Sequence, residues 1–364
     1  MSSQKRVHPD GDRLEHRRQR SVGVKDIAEA SGVSIATVDR ALHNRGRISQ
    51  ATRERILRIA EALGYQPNLA ARYLKKPKAL RISIHLPAEI ALFWDKIRSG
   101  IEEAAKPFDM AVSLSFKSHP KLGEGETVVL EQALTEGVRG IIMAPGHPAE
   151  LREMLRRASE LKIPVVYVST DAPGTERLTT VSVDHFTSGA IAGELFHKVV
   201  SQEGSAAVIT GDLLTVDHAD KLRGFKYGLK LSGDRLRLTE VIEARDDEEL
   251  AYQATVSLVR QDPKLKAIYV STANSLGVIR ALEDVDQEDR VALITTDLFP
   301  EMVPLIQSGK IVATIHQRPK TQGKIAFEAL YRYLTEGVHP PPRIRLTPHI
   351  IFRSNLSLFA EDLN

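Results

Sequence analysis

Apolar residues at Val24, Ile27 and Ala28, then at Val33, Val38, Ala41 and Leu42, recur at helical spacing rather than in the alternation of a strand. Gly32 interrupts them, and the stretch predicts one helix over 26–31 and a second from an N-cap at Ser34 to about Leu42. A third helix follows in "SQATRERILRIAEALGY", capped by Ser49, with Ile56, Leu57, Ile59, Ala60 and Leu63 expected on one buried side. Helices this short bury too little surface to stand alone. Three of them with a tight turn between the first two make a helix-turn-helix; a generic three-helix bundle is the alternative.

From Leu80 the pattern changes. Short β-branched runs, "RISIHL", "AVSLSF", "GIIMAP", "PVVYVST", "SAAVITG", "KAIYVST", "VALITTD" and "KIVATIHQ", alternate with helical stretches. That is βαβ text and predicts an α/β body of parallel sheets with helices on both faces. In such folds ligands bind beyond the carboxyl ends of the strands.

Composition narrows the function classes. The 364 residues contain no cysteine, so disulfides and thiolate metal sites are excluded. No stretch approaches the ~20 apolar residues of a membrane span, and the first twenty residues lack a secretory apolar run. A cytoplasmic protein is the expectation, with no membrane partner. The net charge of +3 hides an asymmetry: residues 1–78 hold 17 Lys+Arg against 8 Asp+Glu, the rest 33 against 39. A basic head on a mildly acidic body points to a polyanion partner for the head alone. Residues 1–21 read as a disordered basic tail, yet 22–78 alone still carry an excess of six positive charges.

"VKDIAEASGVSIATVDRALHNRGRISQATRERILRIAEALGYQPNLAARYL" resembles the DNA-binding head and hinge of the lactose-repressor family. The resemblance implies a DNA-binding domain over 22–66 and a hinge helix with linker over 67–79. It implies that Ile35, Ala36 and Arg40 read base edges of double-stranded operator DNA. Arginine can contact guanine bidentately, and Ile35 and Ala36 can touch thymine methyls. Many members carry a polar pair at those two positions. Ser34, Thr37, Ser49 and Thr52 fall where hydroxyls and helix N-termini meet phosphates, and His43, Asn44 and Arg47 lie in the loop beyond. Asp39 either accepts from a cytosine amino group or pairs with Arg40. In the hinge, Asn68 caps the helix, Leu69, Ala70 and Ala71 form the contact between subunits, and Leu74 matches the leucine that wedges the minor groove.

The stretch from about 80 to 356 resembles the two-lobed periplasmic sugar-binding proteins of ribose type, most clearly in "ITTDLFPEMVPLIQSGKIVATIHQRP". The implied lobes are about 80–183 with 318–346, and about 184–317 with 347–364. On this resemblance Phe93 and Trp94 stack on a sugar face, Asp297 grips hydroxyls, and Gln317 binds a hydroxyl at a crossover. Asn274, or Thr272 if the loop is one residue short, joins them. So do Ser169, Thr170 and Asp171, where ribose binders carry an acidic residue and an arginine, and Asp217, His218 and Lys221. Asp184 and His185 are expected to support the site from a crossover rather than touch ligand.

Catalytic motifs are missing from the text: no HExxH, no GxGxxG after a strand, and "GVSIA" has no strand before it. The expectation is no enzyme, no cofactor and no metal. It is a homodimeric repressor released from its operator by a small monosaccharide or polyol. A corepressor of purine or phosphorylated type is the runner-up. The tail "SNLSLFAEDLN" is too short for a tetramerising heptad helix.

Overall fold

The computed structural model describes residues 23–42, 48–63, 79–231, 233, 235–273 and 275–363. The chain forms two compact units, Met1–Pro77 and Lys78–Asn364. His43, Asn44, Arg47, Asn68, Ala71, Leu74 and Asn274 lie outside the described residues.

The first unit contains α1 (Val24–Ser31), α2 (Ile35–Leu42) and α3 (Gln50–Ala62). α1 starts two residues ahead of the expected Asp26, because the Asp26 carboxylate accepts the Gly23 N–H at 2.7 Å and closes the first turn. Gly32, at φ 64°, ends it in the left-handed conformation that glycine adopts without strain. Ile27, Val38, Ala41 and Ile56 are fully buried at the centre. Burial of one such isoleucine is worth on the order of 2 kcal/mol. Leu57 and Leu63 depart from the expectation: they are 40% and 38% exposed. Ile56 and Ala60, one turn apart, already fill the single stripe that two short partner helices can cover.

The second unit has twelve strands among the described residues: β1 (Leu80–Pro87), β2 (Val112–His119), β3 (Gly140–Met143), β4 (Val165–Val168), β5 (Thr179–Val183), β6 (Gly204–Thr210), β7 (Leu236–Glu243), β8 (Leu265–Val270), β9 (Ala292–Thr296), β10 (Ala313–His316), β11 (Arg343–Leu346) and β12 (His349–Ile351). They make two six-stranded sheets, ordered β11-β5-β4-β3-β1-β2 and β12-β10-β9-β8-β6-β7. All pairings are parallel except β12 on β10. Central strands such as Gly140–Met143 and Val165–Val168 are buried along their whole length, as two-faced parallel sheets require. Each sheet anchors one lobe, and the chain crosses between lobes after β5, after β10 and between β11 and β12.

Helices cover the sheets: α4 (Ala91–Ala105), α5 (Glu126–Thr135), α6 (Pro148–Glu160), α7 (His185–Val199), α8 (Val216–Leu231), α9 (Glu248–Gln261), α10 (Leu276–Asp284), α11 (Val303–Ser308), α12 (Pro319–Glu336) and α13 (Ala360–Leu363). Two pairs position the ligand-facing residues. α4 lies on α12 in the first lobe and α7 on α8 in the second. Both pairs touch backbone to backbone: a Cβ on Gly100 would stand 2.0 Å from the Lys320 carbonyl oxygen, and one on Gly189 1.9 Å from that of Lys221. These glycines fix how far the start of α4 and the start of α8 reach toward the space between the lobes.

Candidate functional site

In the first unit, α2 turns Val38 and Ala41 inward and leaves Ile35, Ala36 and Arg40 exposed together, Ile35 at 49%. The Arg40 Nε donates to the Ala36 carbonyl at 3.0 Å, which lays the guanidinium along this face. Ser34 and Thr37 hydroxyls meet at 2.9 Å, and those of Ser49 and Thr52 at 2.7 Å. Each serine also accepts the backbone N–H of its threonine, at 3.2 Å in both cases. The same cap thus opens two helices, setting hydroxyls beside free backbone N–H groups.

In the second unit, a cleft opens between the lobes. Pro87, Glu89, Ile90, Phe93, Trp94, Leu122 and Ser169 line it from the first lobe. Asp217, His218, Lys221, Asp246, Thr272 and Ala273 face them, with Gln317 at a crossover. Most sit just past the carboxyl end of a strand, where parallel sheets leave their loops and helix N-termini. Backbone strain gathers here. Ile90, Ser169 and Asp246 have positive φ (51°, 71° and 60°), as do Asp297 (67°) and Arg318 (58°), which flank the crossover. The turn at Ile90 starts α4 and aims Phe93 and Trp94 into the cleft, ring edge to ring face with centroids 4.9 Å apart.

The opposite wall is charged and tightly bonded. Lys221, 1% exposed, donates to Asp217 Oδ2 at 3.3 Å and to the Ser271 carbonyl at 3.1 Å. His218 points Nδ1 at the Asp212 carbonyl (3.1 Å) and the Thr215 hydroxyl (2.9 Å), which leaves Nε2 3.4 Å from Asp217 Oδ2. Burial pushes the Asp217 carboxyl up, but His218 and Lys221 outweigh it and hold it well below the usual carboxylate range. Asp217 Oδ1, buried, has no hydrogen-bond partner among the described residues. Gln317 is in the same state. Its backbone N–H and its amide donate to the two oxygens of Asp297, at 2.8 and 2.6 Å, while its Oε1 stays unpartnered.

Other expected residues take supporting places. Asp297, 1% exposed, does not line the cleft; it stands behind Gln317 with both oxygens occupied. Asp171 is spent inside the first lobe on Arg177 (2.9 Å), Arg343 (3.2 Å), Thr180 and the Ala172 N–H. Thr170 is buried beside it and does not line the cleft either. Asp184 caps α7 by accepting the Thr187 N–H. His185 Nε2 donates to the Ser169 carbonyl at 2.6 Å, a bond that joins the two lobes. Burial, helped by the charge of Lys221, lowers the His185 imidazole to about 4, so it is neutral near pH 7.

Residues 86–337 match the family described as "Periplasmic binding protein domain", and residues 23–68 match "Bacterial regulatory proteins, lacI family". The chain belongs to the lacI family. Catabolite control protein A of Priestia megaterium is 28% identical over 92% of this chain and 99% of its own. The maltose regulon regulatory protein MalI of Escherichia coli is 27% identical over 68% of this chain and 71% of its own. Among solved structures, the body resembles GanP, a glucose-galactose binding protein from Geobacillus stearothermophilus. That likeness has a TM-score of 0.71 and 24% identity, over 77% of this chain and 99% of that one, and it shows the fold. This lacI-family regulator is a DNA-binding transcriptional regulator with a periplasmic-binding-protein body.

Six lining residues of the regulator were not expected from its sequence: Pro87, Glu89, Ile90, Leu122, Asp246 and Ala273. For Glu89 a signal existed, since it follows β1 by two residues, just where that strand's carboxyl end delivers its loop. Asp246 follows β7, an edge strand whose mixed polarity hid it.

Proposed function

We propose that the regulator is a homodimeric repressor, and that a small sugar or polyol entering the cleft releases it from operator DNA. The observation that carries this reading is the pair of buried, unpartnered acceptors, Asp217 Oδ1 and Gln317 Oε1, beside the Phe93–Trp94 edge. A polyol supplies hydroxyl donors for the first and C–H faces for the second. The relative named for a maltose regulon and the neighbour named for glucose and galactose support the same class. Asp297 acts by orienting Gln317, in place of gripping the ligand itself. Closure on ligand alters how the two first lobes of a dimer stand, and so whether hinges around Asn68, Ala71 and Leu74 pair over the operator. The chain acts as a regulator rather than an enzyme, on double-stranded DNA in the cytoplasm.

A phosphorylated corepressor fits the cleft less well. Its lysine, Lys221, is already bonded to Asp217, and Glu89 and Asp246 add negative charge to the lining. Thermal-shift screening of the full chain against monosaccharides, polyols, sugar phosphates and purines tests the reading, because a ligand bound only by the folded state must raise its stability. A rise with sugars or polyols is expected. A rise only with purines or phosphorylated compounds overturns it.

A further inference from the structure

Glu89 and Asp246 line the cleft from opposite lobes, one in the turn after β1 and one in the left-handed turn after β7. Among the described residues the Glu89 carboxylate has no hydrogen bond or ion pair to satisfy it. Lys121 attracts it from a distance and stands 3.9 Å from Glu124. Burial, and after it the negative charge of Asp246, push Glu89 up to about 7. The molecule therefore holds a half-buried carboxyl against a like charge across the space where its lobes meet.

The basic groups of the lining are engaged elsewhere. Lys221 and His218 are committed to Asp217. The unpartnered buried atoms of two residues lining the same cleft, Asp217 Oδ1 and Gln317 Oε1, are acceptors as well. The cleft thus asks for donors and, at Glu89, for a positive charge. A neutral polyol supplies the donors alone. A divalent cation needs more ligands than two carboxylates give, and among the described residues no group of three or more His, Cys, Asp or Glu is placed to hold one. An ammonium group on a polyhydroxylated frame supplies both, with three N–H donors in a compact charge.

We infer that the effector is an aminated sugar or polyol, whose ammonium sits against Glu89 and Asp246 while its hydroxyls bond Asp217 and Gln317. The inference rests on the reading of the cleft as a polyol site and narrows it. The test is affinity by thermal shift and calorimetry on the full chain at pH 7, using matched pairs. D-glucosamine, D-galactosamine, D-mannosamine and 1-amino-1-deoxyalditols are set beside their hydroxyl parents.

The expected result is an aminated member binding about tenfold more tightly than its parent, the gain of one charge-assisted hydrogen-bonded contact. Glu89→Gln collapses that ratio toward one, and Asp246→Asn lowers it independently. Parents that bind as tightly as their amines overturn the ammonium and leave the polyol reading standing. A stability shift from neither class overturns both. A preference that survives unchanged in folded Glu89→Gln and Asp246→Asn places the amine elsewhere and also overturns the proposal.

Discussion

Gln317 donates to both carboxylate oxygens of Asp297, through its backbone N–H at 2.8 Å and its side-chain amide at 2.6 Å. The strand-end carboxylate thereby fixes the glutamine amide, whose carbonyl oxygen has no partner of its own. Asp297→Ala leaves the two Gln317 donors buried without an acceptor, at a cost of about 1–3 kcal/mol. Urea denaturation should show that loss, with a weakened response to the cleft ligand. Unchanged stability and response would mean that Asp297 does not orient Gln317.

Asp217 and Lys221 form a buried pair one helical turn apart. Removing only the acid, as in Asp217→Leu, strands the lysine charge in the interior and should cost about 3–5 kcal/mol. The double variant Asp217→Leu/Lys221→Met should recover most of that stability while losing ligand binding. A double variant as unstable as the single one would show that the pair's charges do not set the cost.

His185 makes the body sensitive to mild acid. Its imidazole is lowered to about 4 when folded, against an ordinary value of 6.5. The unfolded chain therefore binds more protons between those values, and stability is complete above about 6.5 and falls as the pH drops toward 4. Going from pH 7.5 to pH 5 should cost roughly 2 kcal/mol from this group alone. His85, lowered to about 3 by burial and by its neighbours His119 and Lys117, adds a similar amount over that interval. Melting curves of wild type and His185→Gln across this range should differ in slope, the variant being flatter. Parallel curves would remove His185 from the effect.

On α2, Arg40 shares one exposed face with Ile35 and Ala36. Arg40→Ala should cost about 1–3 kcal/mol at the preferred duplex and little on unrelated DNA. Thr52→Val should instead weaken all duplexes alike, because a phosphate contact carries no sequence information. Fluorescence anisotropy on both kinds of DNA separates them, and equal losses from Arg40→Ala would place it on the backbone.

The text of the chain discloses most of this architecture because buried parallel strands are written as continuous runs: "GIIMAP" and "PVVYVST" could be little else. The eight runs leave out β5, β7, β11 and β12: the last three are edge strands, with arginine, glutamate or histidine among the apolar residues, and β5 mixes threonine and serine with its valines. The same division governs the cleft. Phe93, Ser169, Lys221 and Gln317 stand at strand ends or helix starts and were legible by position. Leu122 and Asp246 sit in loops, placed only by the packing of whole lobes. Asp297 was legible as a strand-end acid, but nothing local says that a glutamine twenty positions later occupies both its oxygens. In the head, Leu57 and Leu63 kept helical spacing and still stayed outside, since three short helices offer only one stripe of core.

In the proposed repressor one chain couples the cleft to the DNA-reading face. The most direct measurement is the affinity of the full protein for a duplex selected from a random-sequence pool, with and without a saturating amount of the sugar or amino sugar that raises its melting temperature. Operator affinity should fall about tenfold or more on adding the ligand, in the range of ordinary allosteric coupling. Gln317→Leu should abolish that fall. Equal affinity with and without a ligand that demonstrably stabilises the protein would contradict the account.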